Sequence, residues 1–517
     1  MSLFQLAAFG MACAAVYHII PRRVRWVVLL VASYGFYAAR SLSGLPFILA
    51  TTLSTWLGAL RIDRIASTAK ARLKAEKATL SAEEKKQIKA AARSRERVWL
   101  YAVLVLNFAL LAVLKYTDDV LGLAGCSPLG LVLPLGISFY TFQSMGYLID
   151  VYSGKYAAEH SLPRFALFVS FFPQLIQGPI GRYDQLGKQL REPHTFDYDN
   201  MVRGLMLMLW GLFKKLVIAD RALPLVSTVF SAPAGEYGGA LSVVAVLFYA
   251  VQQYCDFSGG IDLVAGIAQL FGIQLAPNFR RPYFSVSLAD FWRRWHISLG
   301  AWMRDYVFYP FALTRPVSRL SKAAKGRFGA SFARALPAAL GNLLVFLLVG
   351  LWHGATSNYI LWGLYNGVIL AASALLEPAY KRFGERHARL TSSGGFHVVR
   401  VLRTFVIVNI GWYFDRSSDF RDALSMLLKT FTRPCLSQLT DGTLLSLGLT
   451  RMGFALLIFC ALVIFTVSLL QERGVHIRDA LDALALPVRW TLLYLLIGVT
   501  LMFSITGASQ SFIYAMF

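Results

Sequence analysis

From Ala335 to Leu376 the chain runs 42 residues without an Asp, Glu, Lys or Arg. A helix crossing about 30 Å of hydrocarbon needs roughly 20 mostly apolar residues, so a run of this length holds two spans. Nine further stretches are equally free of these charges: Met1 to Pro21, Trp26 to Ala39, Ser41 to Leu60, Val98 to Leu114, Val120 to Ile149, Phe165 to Gly181, Tyr237 to Cys255, Met452 to Leu470 and Trp490 to Phe517. With the more interrupted stretches near 201–219, 261–275, 297–312 and 401–414, ten to twelve spans are expected. A membrane barrel would show alternating strands of about ten residues, which these runs lack. The expected fold is all-α: a polytopic helical membrane protein, with re-entrant or broken helices around a central tunnel. A multi-domain soluble enzyme is excluded, because only 15% of the residues are charged and 56% are hydrophobic.

The chain is nevertheless strongly basic, with 51 Lys and Arg against 28 Asp and Glu and a net charge of +23. The bases gather between the apolar runs. Arg61 to Arg97 carries twelve Lys or Arg, and Arg315 to Arg334 carries six with no acid. Together with Arg22, Arg23, Arg25 and the 381–403 stretch, these segments read as cytoplasmic by the positive-inside rule, which places the N-terminus outside. They also suit anionic lipid head groups. Nucleic-acid binding is not expected, because the bases are spread over several loops and no reader motif accompanies them. Within 61–97, the Ala/Lys/Glu-rich stretch and the capping-box pattern Ser81-Ala82-Glu83-Glu84 predict a basic cytoplasmic helical hairpin, either a solvated cap or a docking surface for a soluble partner. The five cysteines show no CxxC spacing, so no disulfide framework and no metal site are expected. The first apolar segment lacks a basic leader and reads as a span rather than a cleaved signal.

Polar groups at membrane depth are costly and therefore point to function. His353 stands in Leu351-Trp352-His353-Gly354-Ala355-Thr356, with 18 uncharged residues before it and 23 after. That places it where two spans join, either as a functional group or as a structural histidine of the turn. His296 follows an alternation of aromatics and arginines, Phe291-Trp292-Arg293-Arg294-Trp295. This is an interfacial pattern by itself, but polar residues continue through Ser298, Arg304, Asp305 and Tyr306. A third cluster, Gln252 to Asp262, holds Asp256 and two adjacent glycines; it predicts a helix broken at Gly259-Gly260, with an ordinary polar loop as the other reading. His194 and Asp199 have a His-x4-Asp spacing used by some acyltransferases, but they lie in a polar stretch where Asp197 or Asp199 is better placed to cap the next helix. No GxSxG elbow, Walker loop or HExxH is present.

An ordered set of motifs connects these features. It comprises Pro134-Leu135-Gly136-Ile137-Ser138-Phe139-Tyr140; Phe172-Pro173-Gln174 through Gln177-Gly178-Pro179; Lys214-Lys215 with Asp220; Asp256-Phe257-Ser258-Gly259; Pro277-Asn278-Phe279 with Arg281-Pro282-Tyr283; Phe291 to Leu299; Arg304-Asp305-Tyr306; and Leu351-Trp352-His353-Gly354. This set resembles the membrane-bound O-acyltransferase family, especially its bacterial branch of alginate O-acetylation and teichoic-acid D-alanylation proteins. The resemblance implies a single membrane-embedded acyltransferase domain over 1–517, with a catalytic core at 130–360. It implies that His353 is catalytic and His296 a second catalytic residue. Asn278, Trp295, Trp352, Asp256, Gln177, Arg304 and Asp305 are the expected substrate-binding residues.

A neutral histidine, the state that burial favours, can take the proton of an acceptor hydroxyl as it attacks an acyl carbonyl. The resemblance further implies no bound cofactor. The donor is expected to be acetyl-CoA or an acylated carrier protein. The acceptor is expected to be an exported or cell-wall polysaccharide, reached through an extracellular hydrolase-like acyltransferase or a small membrane peptide, and the location a bacterial inner membrane. Acetyl transfer is the first reading; Tyr365-Asn366-Gly367 also echoes the D-alanyl branch. A lipid or glycan transporter is a rival of another class, although the internal repeat it predicts is not found.

Overall fold

In the computed structural model, residues 3–233 and 236–505 are described. Among the described residues 81% are helical and no strand forms, as expected where hydrocarbon forces each segment to satisfy its own backbone groups. Among the described residues, eight helices are long and apolar enough to cross a membrane, including Gly239–Leu270, Arg315–His353, Ser357–Arg386, Gly394–Arg416 and Arg451–Glu472. The expectation of ten to twelve also counted runs that fold as shorter helices, Leu3–Ile19 and Arg25–Arg40.

The chain forms two compact units, one from Leu3–Leu205 with Val264–Ala276, the other from Met206–Leu263 and from Pro277 onward. In the first unit, Leu45–Ala75 and Ala82–Leu123 make the helical hairpin expected at 61–97, each arm a continuation of an apolar helix. Ser81 closes the turn: its hydroxyl accepts from the Glu84 N–H at 3.2 Å, and the Glu84 carboxylate accepts from the Ser81 N–H at 2.8 Å. That backbone N–H holds the Glu84 carboxyl below its usual range. Asp197 caps Tyr198–Leu212 by accepting from the Asn200 N–H at 3.1 Å. The His194 ring lies 2.8 Å from the Gln189 carbonyl, and its own carbonyl accepts from the buried Arg25 guanidinium. Both groups thus have local structural partners, in keeping with the capping reading of this loop.

In the second unit the expectation of a broken helix at Gly259-Gly260 is corrected, because Gly239–Leu270 runs unbroken through it. Gly259 serves a different need. A Cβ there would lie 2.9 Å from the Gly211 carbonyl oxygen, and one on Gly211 would lie 2.5 Å from that of Gly259. The missing side chains let two helices touch backbone to backbone. Beside this crossing the chain makes a π-helical turn, Phe213–Ala219, that carries Lys214 and Lys215 inward. Lys215 meets Asp256 at 2.5 Å and Asp220 at 2.8 Å, while Lys214 meets Asp262 at 2.7 Å. Buried charges persist in apolar surroundings when paired in this way.

Arg315–Arg334, expected between spans, is itself helical. The Arg315–His353 helix kinks at Gly329, where φ is 84°, and Ser321 donates to the Ala333 carbonyl across the kink at 2.5 Å. Beyond it the helix packs against Ser357–Arg386 as a tight hairpin whose turn follows His353. Gly350 and Gly363 face each other there. A Cβ on Gly350 would stand 2.5 Å from the Tyr359 carbonyl oxygen and 3.2 Å from the Gly363 Cα. Gly350→Ala is therefore expected to force the hairpin open one turn before His353. The overpacking cost is about 1–3 kcal/mol, visible as a lower Tm in detergent together with reduced turnover.

Candidate active site

His353 is the last residue of its helix, because the chain after it turns at Gly354 and restarts at Ser357. Its ring is buried and walled by aromatics: Trp352 at 5.0 Å, Trp362 at 5.0 Å and Tyr359 at 5.6 Å between centroids. Flanking apolar residues bring the helix deep into the protein, and the turn leaves the imidazole at its end.

His296 is held differently. It lies between the short helices Leu288–Arg294 and Ile297–Met303 with φ 46° and ψ 53°, a left-handed conformation that a residue with a Cβ adopts at a cost. Asn278 offsets that cost. Its amide oxygen accepts from the Ser298 N–H and the Ser298 hydroxyl, both at 2.9 Å, and lies 3.3 Å from His296 Nδ1. The Ser298 N–H can only donate, which identifies the Asn278 atom as the oxygen; His296 Nδ1 must then be the donor, and in the neutral ring Nε2 carries the basic lone pair. The Ile297 N–H donates to the Asn278 carbonyl at 3.0 Å, and Phe279 pairs with Trp295 in an isolated antiparallel bridge. The edge of Phe257 closes the His296 ring at 4.8 Å.

The two histidines line one cavity of about 370 Å³, which Trp292, Trp295, Arg304 and Asn342 also line. Trp352 stands beside both, 5.0 Å from His353 and 6.2 Å from His296 between ring centroids. A cavity of this size, apolar with a few converging polar groups, is suited to a small ligand or a segment of a larger one. Two imidazoles at one apolar cavity can offer basic ring nitrogens to the same bound group.

Of the other predicted binding residues, Trp295 and Arg304 reach the cavity, and Asp305 pairs with Arg304 at 2.9 Å. Trp295 is also core, stacked on Phe291 at 5.5 Å and set edge-on to Phe279 at 5.0 Å. Asp256 is engaged in the Lys215 ion pair and touches the site through its neighbour Phe257. Gln177 belongs to the first unit, where it is fully buried. Three residues without a predicted role stand out, Trp292, Asn342 and Asn366. Trp292 donates its indole N–H to the Asn366 amide oxygen at 3.1 Å, and Asn366 donates to the Trp362 carbonyl at 2.9 Å. Asn342 and Asn366 both sit inside the uncharged 335–376 run, and extending the depth argument from ionisable groups to amides would have found them.

Comparison with known proteins identifies the family of the chain. The model of the membrane-bound O-acyltransferase family matches residues 157–410, a stretch that contains both histidines. The probable alginate O-acetylase AlgI of Pseudomonas aeruginosa is 32% identical over 475 residues, covering 89% of this chain and 80% of that protein. The chain belongs to the membrane-bound O-acyltransferase family. The peptidoglycan O-acetyltransferase of Helicobacter pylori is 30% identical over 435 residues, 78% of this chain and 72% of that protein. The teichoic acid D-alanyltransferase of Bacillus subtilis is 29% identical over 300 residues, 57% of this chain and 71% of that protein. As a membrane-bound O-acyltransferase, the chain is a multi-pass membrane enzyme that moves acyl groups to hydroxyls, which sets the transporter reading aside.

Proposed function

We propose that this enzyme transfers an acetyl group from a cytoplasmic thioester, acetyl-CoA or an acylated carrier protein, to a hydroxyl of an exported or cell-wall polysaccharide. The observation that carries the reading is the meeting of His353 and His296 on one cavity. His353 acts as the general base. As the acceptor oxygen attacks the carbonyl carbon, the hydroxyl proton passes to the imidazole. The carbon–sulfur bond then breaks, and the imidazolium returns the proton to the departing thiolate. His296, whose Nδ1–H is held by Asn278, orients the acceptor through the lone pair on its Nε2. Trp295, Trp352, Arg304 and Asp305 bind substrate around them. Acetyl is favoured over D-alanyl because the O-acetylating relatives match along 78–89% of this chain, whereas the teichoic acid D-alanyltransferase of Bacillus subtilis matches along 57%.

The location proposed is a bacterial inner membrane with the N-terminus outside. The whole chain acts as one acyltransferase domain, with 130–360 as its core. An extracellular hydrolase-like acyltransferase or a small membrane peptide receives the acyl group. The bases of Arg61 to Arg97 and Arg315 to Arg334 then face the anionic donor.

The test supplies proteoliposomes with radiolabelled acetyl-CoA or a D-alanyl carrier protein, together with alginate, peptidoglycan fragments or teichoic acid. Acetyl label on a glycan hydroxyl is the expected result; D-alanyl label on teichoic acid alone would replace this reading with the second. Changing the six bases of Arg315 to Arg334 to Gln is expected to raise the KM for acetyl-CoA and flatten its salt dependence, with kcat little changed. An unchanged KM would separate this basic segment from donor binding.

A further inference from the structure

We infer that Glu472 is a positioning residue for acyl transfer, tying down the strained loop that carries His296. This rests on the placement of His296 in the acyl-transfer site. Glu472 lies well beyond the 157–410 stretch matched by the family and ends the Arg451–Glu472 helix. A carboxylate there faces the negative end of the helix dipole, so local helix energetics do not account for it. Its partners do. One carboxylate oxygen accepts from Arg281 Nε at 2.6 Å and Arg294 Nη1 at 3.1 Å, and the other accepts from Arg294 Nη1 at 2.9 Å.

These two arginines lie on opposite sides of the short antiparallel pairing that presents His296. The Arg280 N–H donates to the Arg294 carbonyl at 2.9 Å, and the Ile297 N–H donates to the Asn278 carbonyl at 3.0 Å. Two of the three non-glycine residues with positive φ among those described, Arg281 at 49° and His296 at 46°, fall in this one pairing. Such conformations cost about 1–3 kcal/mol each and persist where the surroundings over-determine them. Asn278 holds the inner end of the pairing. Glu472 bridges its outer end, and Phe465 of the same helix stacks on Phe284 at 5.5 Å to hold the helix against it. Arg294 is further fixed by Asp290 at 3.2 Å, whereas Arg281 pairs with Glu472 at 2.6 Å. Releasing the carboxylate charge lets the pairing relax, and His296 then turns away from its position beside Phe257 and Trp352.

The experiment uses full-length protein in proteoliposomes, acetyl-CoA as the probe donor, and CoA release as the readout. Glu472→Gln keeps the side chain's size and removes its charge. It is expected to lower kcat about 10- to 100-fold, the scale of a small misplacement of a reacting group, with the KM for acetyl-CoA nearly unchanged. Glu472→Asp should recover much of that loss. Combining Glu472→Gln with Asn278→Ala should cost little more than the worse single variant, because both act on one loop. A folded Glu472→Gln protein with wild-type kcat, or losses that simply multiply in the double variant, would overturn the inference. Should Glu472→Gln not assemble, Arg281→Gln, which leaves the Arg294 pair in place, decides: a several-fold fall in kcat supports the inference, and wild-type kcat overturns it. His296→Ala runs alongside. If it keeps the wild-type rate, the placement of His296 fails; if it loses the rate while Glu472→Gln does not, only the role of Glu472 fails.

Discussion

His353→Ala is expected to lower turnover by about 10³-fold, within the range for removal of a general base. The imidazole sits at a helix end with Trp352 and Trp362 each 5.0 Å away, and among the described residues no Lys, Asp or Glu lines the cavity to replace it. Alanine leaves a hole at a turn rather than a gap inside a helix crossing, so the variant should stay folded, with a Tm close to that of the wild type. The pH profile separates base from scaffold. A base must be unprotonated, so the wild-type rate should fall as acid protonates the imidazole, and that limb should vanish in the variant. A folded His353→Ala protein turning over at the wild-type rate would remove His353 from the reaction.

Lys215→Met is expected to have the largest effect on stability. Lys215 is 3% exposed and neutralises two carboxylates, Asp256 at 2.5 Å and Asp220 at 2.8 Å. Methionine matches much of its volume and removes the cation that both buried acids meet. Breaking a buried pair from one side costs about 3–5 kcal/mol, because the remaining charge is uncompensated. Asp256→Asn should cost distinctly less, since Lys215 keeps Asp220 and the amide still accepts a hydrogen bond. Thermal unfolding in detergent orders the two, and equal losses would refute the pairing as the cause. Asp256→Asn also bears on the site, because Phe257, the next residue, meets His296 at 4.8 Å.

Much of the fold was readable along the chain. Charge-free length is a local property, so the Arg315–His353 and Ser357–Arg386 helices and the turn at His353 follow from one uncharged run. The capping box at Ser81 and the cap at Asp197 are likewise set within four residues. The reading failed at Gly259, where a glycine pair suggested a break and the helix continues. A glycine's role depends on what approaches it, here the Gly211 backbone from a helix some 50 residues away in sequence.

For the candidate site, the sequence by itself determined which groups stood out: His353 because its surroundings are uncharged, and His296 because its motif is polar and aromatic. Tertiary structure alone decided that these histidines share a cavity beside Trp352, that Asp256 is taken up by Lys215, and that Glu472 reaches back to Arg281 and Arg294. The physical reason lies in range. Hydrophobic length, capping and charge bias act between near neighbours in sequence, whereas hydrogen bonds, ion pairs and ring contacts act over a few ångströms in space. Which distant residues come that close is settled only when the helices pack.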